Sequence, residues 1–329
     1  MLSVLVTDYL QFLVLGFGIV LTSVLVIYNI GWNNLVQQLW ISWDGTRADG
    51  GARLVSHPFN PFHSSSLGWG YILWQVVFQI AVVTTWQTQV SRVLSARDED
   101  TAKKMYRRSA FYFVGRFALP ALFGAAAFVY FNGHGGLPEG LDSRTAMPAY
   151  LATILPVGLI GLVIAGMLAA EMSTDSGYLL TWATVIYNDL IMSCVRRPMS
   201  GPARLLLTRC LVCAIGVFLV FYGLLYELKG NVWDYLAVTG NIYLASVFTL
   251  LVSALYWPRA NRYGAFAALV LGAIGPLTFL IVNGRVDEAH QIAPQVAGAS
   301  SFGLAFLGMI VGSLVTPAPA PKPMPKGVS

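Results

Sequence analysis

Over 329 residues, 56% of the side chains are hydrophobic and only 11% are charged, and the mean hydropathy is +0.65. An average soluble domain is about one-quarter charged, so this composition excludes soluble, secreted and disordered chains. The net charge of +5 sits mainly in short loops between apolar runs, where it orients a membrane protein rather than binding nucleic acid.

Apolar runs of about twenty residues predict an all-α, polytopic helical membrane protein. Taken in chain order, eight spans fall at residues 5–30, 68–94, 109–131, 150–193, 203–228, 232–257, 264–283 and 296–315. Between the first two, residues 31–67 are too polar and aromatic to cross. Their SHPFNPFH stretch reads as turns, so this segment is placed outside as a re-entrant or interfacial element. The connector 95–108 is rich in basic residues (Arg97, Lys103, Lys104, Arg107, Arg108). Arg196, Arg197 and Arg204 form a second basic cluster, and Arg259 and Arg262 a third. By the positive-inside rule these loops and both termini are cytoplasmic, in a plasma (inner) membrane.

The fourth apolar region, Leu151 to Cys194, is about twice what a bilayer needs. No turn chemistry interrupts it after Pro156, so it reads as a short outer helix followed by one long helix. Residues 1–315 then form the membrane domain, and the Pro-rich 316–329 an extended cytoplasmic tail. The three cysteines, Cys194, Cys210 and Cys213, form no disulfide framework. His57, His63, His134 and His290 fall in loops. With no nucleophile–base pair and no metal-spaced cluster, an enzyme or a resident cofactor is not expected.

The most informative stretch is GMLAAEMSTDSGYLLTWAT, residues 166–184. Gly166, Ala170, Ser173, Gly177, Thr181 and Thr184 lie along one helical face, as a close helix–helix contact would require. Glu171 and Asp175 stand one turn apart beside that stripe, with Ser173, Thr174 and Ser176 between them. Acids within a bilayer cost about 2.5–3.5 kcal/mol on insertion scales, so they need water, a cation or a basic partner. Arg116 is one candidate partner. Grouped hydroxyl and carbonyl oxygens are hard ligands suited to a dehydrated alkali cation, which favours an ion or substrate pathway over pure packing.

The run LPVGLIGLVIAGMLAAEMSTDSGYLLTWATVIYNDL resembles the signature helix of the sodium:solute symporter family. TDYLQ at 7–11 resembles the T-D-x-x-Q that opens the fifth core helix. WQTQVSRVLSAR at 86–97 resembles the inner end of the sixth, and YWPRANRYGA at 256–265 the linker after the tenth. The resemblance implies a leucine-transporter-like fold of two inverted five-helix repeats, of which this chain would carry helices five to ten plus two peripheral ones. Core helices one to four have no counterpart, so a missing N-terminal half is an implied partner.

Carried over by position, the sodium site's share is the carbonyl of Ala170 and the hydroxyls of Ser173 and Thr174. A second cation site in some members matches Asp8, Ser173 and Ser176, with Gly177 where a hydroxyl can stand. Trp86, Gln87 and Tyr243 match positions near the solute pocket. Glu171 and Asp175 lie outside the family pattern: a cationic substrate, proton coupling and pairing with Arg116 all remain open. The function implied is sodium-coupled symport of a small solute. The alternative is a non-transporting sensor or an inactive transporter remnant.

Overall fold

The computed structural model describes residues 2–44, 54, 56–63, 66–195, 199–226, 231–286 and 290–316. Among these, all regular structure is helical. Eight helices are long and apolar enough to cross a membrane, running from Val6–Ile30 to Pro294–Val315, and the chain is an integral membrane protein. The basic pair Arg196 and Arg197 and the tail beyond Thr316 lie outside the described residues.

The chain divides into two compact units. The first comprises Met1–Asn60 and Val93–Tyr226. Its α1 (Leu2–Ile30) ends at Gly31, whose φ of +78° needs a residue without Cβ and turns the chain into α2 (Trp32–Asp44). Helix α2 buries Leu35 and Ser42 and exposes Trp32 and Trp40, the two-faced character expected of an interfacial element. The turn expected at SHPFNPFH is present: the His57 Nδ1 accepts from the amides of Phe59 at 3.2 Å and Asn60 at 3.0 Å.

Helix α5 (Glu99–Gly133) starts ten residues before the predicted span. Most of the charged connector is therefore its first turns. Asp98 caps it by accepting from the Thr101 amide at 2.7 Å, and Glu99 pairs with Lys103 at 2.7 Å. Next come α6 (Ala146–Ile154), then α7 (Val157–Val185) starting just after Pro156, as the sequence predicts. A π-helical turn (Ile186–Ile191) carries α7 into the short α8 (Met192–Cys194), and α9 (Gly201–Leu225) follows. In that turn the buried Tyr187 ring lies 5.3 Å beneath the Arg204 guanidinium. The core of this unit joins Val26, Leu35, Phe123, Ala126, Tyr150 and Leu151.

The second unit comprises Pro61–Arg92 and Glu227–Ser329. It contains α3 (Gly68–Thr85), α10 (Val232–Tyr256), α11 (Arg262–Asn283) and α12 (Pro294–Val315). Helix α4 (Gln87–Leu94) follows α3 directly. The continuous span predicted at 68–94 is thus broken at Trp86, whose backbone is extended (φ −65°, ψ 116°). Just before the break, the Thr84 and Thr85 hydroxyls bond back to the carbonyls of Ile80 and Ala81 at 2.7 and 2.6 Å. Such back-bonding loosens a helix end. Helices α11 and α12 approach through small residues: a Cβ on Gly312 would stand 2.8 Å from the Gly264 Cα, and one on Gly308 2.8 Å from the Ala267 backbone.

Candidate functional site

Helices α1 and α7 pack antiparallel. Midway along α1, Gly166 brings its backbone against Leu15, with room for little more than a Cβ at 3.6 Å from the Leu15 Cα. Seven residues further along α7, and seven back along α1, the Ser173 hydroxyl donates to the Asp8 carboxylate at 2.8 Å. Seven residues is two helical turns, so one face of each helix makes both contacts. The small-residue stripe therefore acts as packing at Gly166 and as a polar contact at Ser173. Asp8 and Ser173 are both half-buried, which strengthens the bond relative to an exposed one.

The remaining oxygens of the stretch are arranged differently. The Thr174 hydroxyl donates to the Ala170 carbonyl at 3.0 Å, which places two predicted ligands side by side. The Ser176 hydroxyl donates to the Ser173 carbonyl at 3.2 Å, so it serves its own helix and does not reach Asp8 in this arrangement. Glu171 and Thr174 are exposed on α7, whereas Asp175 is half-buried. The pairing of either acid with Arg116 is not realised. Arg116 is exposed, and its guanidinium lies 5.7 Å above the Phe113 ring. The ion pairs Lys103–Glu99 and Arg144–Asp142 both lie outside this seam.

In the second unit, Trp86 and Tyr243 come together with ring centroids 5.8 Å apart. Trp86 sits at the break between α3 and α4, where its amide donates to the Val82 carbonyl and its own carbonyl accepts from the Val90 amide, each at 2.9 Å. Gln87, beside it, is exposed at the start of α4. Trp86, Gln87 and Tyr243, predicted near a solute pocket, thus fall at or against a helix break.

Gln11 closes the TDYLQ motif at 7–11 but has no place among the candidate ligands, and sequence reasoning did not single out Asn241. Gln11 lies one turn after Asp8, and its Oε1 is enclosed without a hydrogen-bonding partner. Asn241 on α10 is fully buried, with neither its Oδ1 nor its Nδ2 bonded. The signal available for Gln11 was its place in the T-D-x-x-Q pattern, and for Asn241 an amide within an apolar run; which amides would be enclosed depends on helix rotation, which an isolated sequence does not specify.

With that geometry in hand, comparison with known proteins is direct. Residues 1–272 match the sodium:solute symporter family. The chain belongs to this family. Among its curated relatives, an uncharacterised symporter of Cupriavidus necator is 28% identical over 51% of the chain and 26% of its own length. The osmoregulated proline transporter OpuE of Bacillus subtilis is 29% identical over 49% of the chain and 32% of its own length. The sodium/mannose cotransporter of Bos taurus is 25% identical over 96% of the chain and 58% of its own length. The chain therefore spans between about one-quarter and three-fifths of the length of these relatives. A solved Na+-coupled sialic acid symporter, in a substrate-bound outward-open state, superimposes with a TM-score of 0.72 at 18% identity. The match covers 96% of this chain and 63% of that one, and it carries the fold.

Proposed function

We propose that this sodium:solute symporter family chain takes part in sodium-coupled secondary transport of a small solute, by alternating access and without covalent chemistry. The observation that carries the reading is the hydrogen bond between Ser173 and Asp8, which joins two oxygen-bearing motifs in a half-buried seam. A carboxylate, hydroxyls and a helix carbonyl are hard donors that suit a bare monovalent cation. Sodium takes about five or six such oxygens, and mostly neutral ones permit its release. In this reading Ala170, Ser173 and Thr174 contribute to one sodium position, and Asp8 with Ser173 and Ser176 to a second. Rotation of the Ser176 hydroxyl away from its own helix accompanies occupancy of the second position.

The same proposal assigns the chain to the part of the family architecture from the fifth core helix onward, as a partial inverted-repeat fold. Helices corresponding to the earlier core would supply the rest of the cation shell and solute pocket. Trp86, Gln87 and Tyr243 form this chain's side of that pocket, and Glu171 and Asp175 modulate charge beside the pathway. The alternation of basic loops supports an inner-membrane location with both termini cytoplasmic.

Two measurements test the proposal. Purified protein in lipid nanodiscs should unfold at higher temperature in NaCl than in choline chloride of equal ionic strength. Proteoliposomes should accumulate at least one radiolabelled solute from a panel of proline, mannose, myo-inositol, pantothenate and sialic acid when given an inward sodium gradient. The panel is drawn from the solutes named for the relatives. A sodium response without flux of any of these favours a sensor or remnant; the absence of any sodium response refutes the cation site.

A further inference from the structure

The enclosed amide of Gln11 is the unexplained group nearest the proposed cation path. Asp8 meets Ser173 and Leu15 meets Gly166, so the antiparallel register of α1 and α7 fixes what lies between. Gln11 falls on α1 between those two contacts, at the level of Ala170 on α7. Its neighbour Phe12 faces another way, packing edge-on against Tyr112 of α5 with ring centroids 5.1 Å apart. Gln11 itself is half-buried, and its Oε1 is shut off from solvent with no donor in reach. Buried acceptors are almost always satisfied, and an orphan one needs an explanation. Here the acceptor lies one helical turn from the Asp8 carboxylate and two turns or less from Ser173, the residue shared by both proposed cation positions.

We propose that the Gln11 side-chain oxygen is a further ligand of the monovalent cation held by Asp8 and Ser173, and that its neutrality sets the preference for a single charge. This inference rests on the cation site of the proposed function. One carboxylate with neutral oxygens balances a monovalent ion. A divalent ion in the same shell would keep an uncompensated charge in a low-dielectric setting, which is unfavourable. An amide is well suited to such a shell, because it offers a strong oxygen dipole at no cost in charge and holds its form at every physiological pH. A glutamate in its place would add a second carboxylate one turn from Asp8. Like charges at that spacing raise the affinity for protons and divalent ions alike.

The test uses the full chain in nanodiscs, following the unfolding midpoint while NaCl replaces choline chloride at constant ionic strength. Ligand binding to the folded state raises the midpoint in a saturable way, so the half-saturating sodium concentration reads affinity. Gln11→Leu should raise that concentration about tenfold. Gln11→Glu should bind sodium more tightly at alkaline pH, return toward the native half-saturation as pH falls and the added carboxyl is protonated, and admit CaCl2 as a competitor while ionised. Overlap of the Gln11→Leu and native sodium curves, with Asp8→Asn flattening the response, would overturn this inference and leave the sodium reading standing. An equal drop of the Gln11→Leu midpoint in sodium and choline, with unchanged half-saturation, would mark a packing role and overturn it too. Where Gln11→Leu does not fold, a Gln11→Glu protein with a pH-independent, calcium-insensitive sodium curve overturns it. A native protein indifferent to sodium removes the underlying reading instead.

Discussion

The Ser173 hydroxyl reaches across from α7 to the carboxylate of Asp8 on α1, 2.8 Å away and 165 residues distant in sequence. Bonds of this kind between membrane helices average less than 1 kcal/mol, and those to charged groups run higher, so about 1 kcal/mol is expected here. Ser173→Ala and Asp8→Ala, singly and together, should show that coupling in a double-mutant cycle of unfolding free energies measured in choline. The same cycle repeated in saturating sodium should give a different coupling, because the ion then shares both oxygens. A coupling near zero in both media would mean the contact contributes nothing.

A second prediction concerns the approach of α11 and α12. A Cβ on Gly312 would lie 2.8 Å from the Gly264 Cα, so Gly312→Val forces the helices apart and should cost about 1–3 kcal/mol. Gly303, on the same helix, has open space around it. Gly303→Ala should be neutral or stabilising, since alanine is the better helix former. Thermal unfolding in nanodiscs compares the two. Equal effects would show that the close approach carries no energetic weight.

Much of this architecture was legible in the sequence, for reasons that differ between elements. Apolar length sets the eight spans, because a bilayer imposes a fixed thickness on every helix that crosses it. Pro156 marks the start of α7, since proline fits a helix entry and nothing that breaks a helix follows. The break at Trp86 was hidden, with no glycine or proline beside it to announce it. The early start of α5 carried a readable signal in Asp98 followed by two acids, a cap that the charge of the connector obscured. Asp8 and the oxygens near Ser173 could be named as candidates from residue type alone. Which oxygens face each other depends on helix rotation, so the spent hydroxyl of Ser176 and the enclosed amide of Gln11 needed coordinates.

A third prediction follows from that cap. The Thr101 hydroxyl, and then its amide, hold the Asp98 carboxyl below its ordinary range. A depressed value in the folded state means that the cap stabilises α5 above the carboxyl's unfolded pKa and fades as pH falls through the folded one. Asp98→Ala should therefore lower the unfolding midpoint at neutral pH. Its gap to the native protein should narrow steadily once pH drops below about 4, the unfolded aspartate value. A gap that stays constant down to strongly acid pH would show that the charge of Asp98 is irrelevant to the cap.

The last prediction separates packing from solute contact at the α3–α4 break. The Trp86 and Tyr243 rings pack at a tilt of 39° with centroids 5.8 Å apart, and aromatic pairs contribute about 0.5–1.5 kcal/mol beyond the area they bury. If the pair only closes the break, Trp86→Phe should lower the unfolding midpoint slightly and leave transport unchanged, because the ring contact survives. If the pair lines the solute pocket, the same substitution should raise the half-saturating solute concentration in proteoliposomes severalfold. The half-saturating sodium concentration, read by thermal unfolding without solute, should then stay at its native value, since Asp8 and Ser173 are untouched. Tyr243→Phe keeps the ring and removes only the hydroxyl. A solute effect from both variants, with sodium binding intact in both, assigns the two rings to the pocket; intact solute affinity in both assigns them to packing.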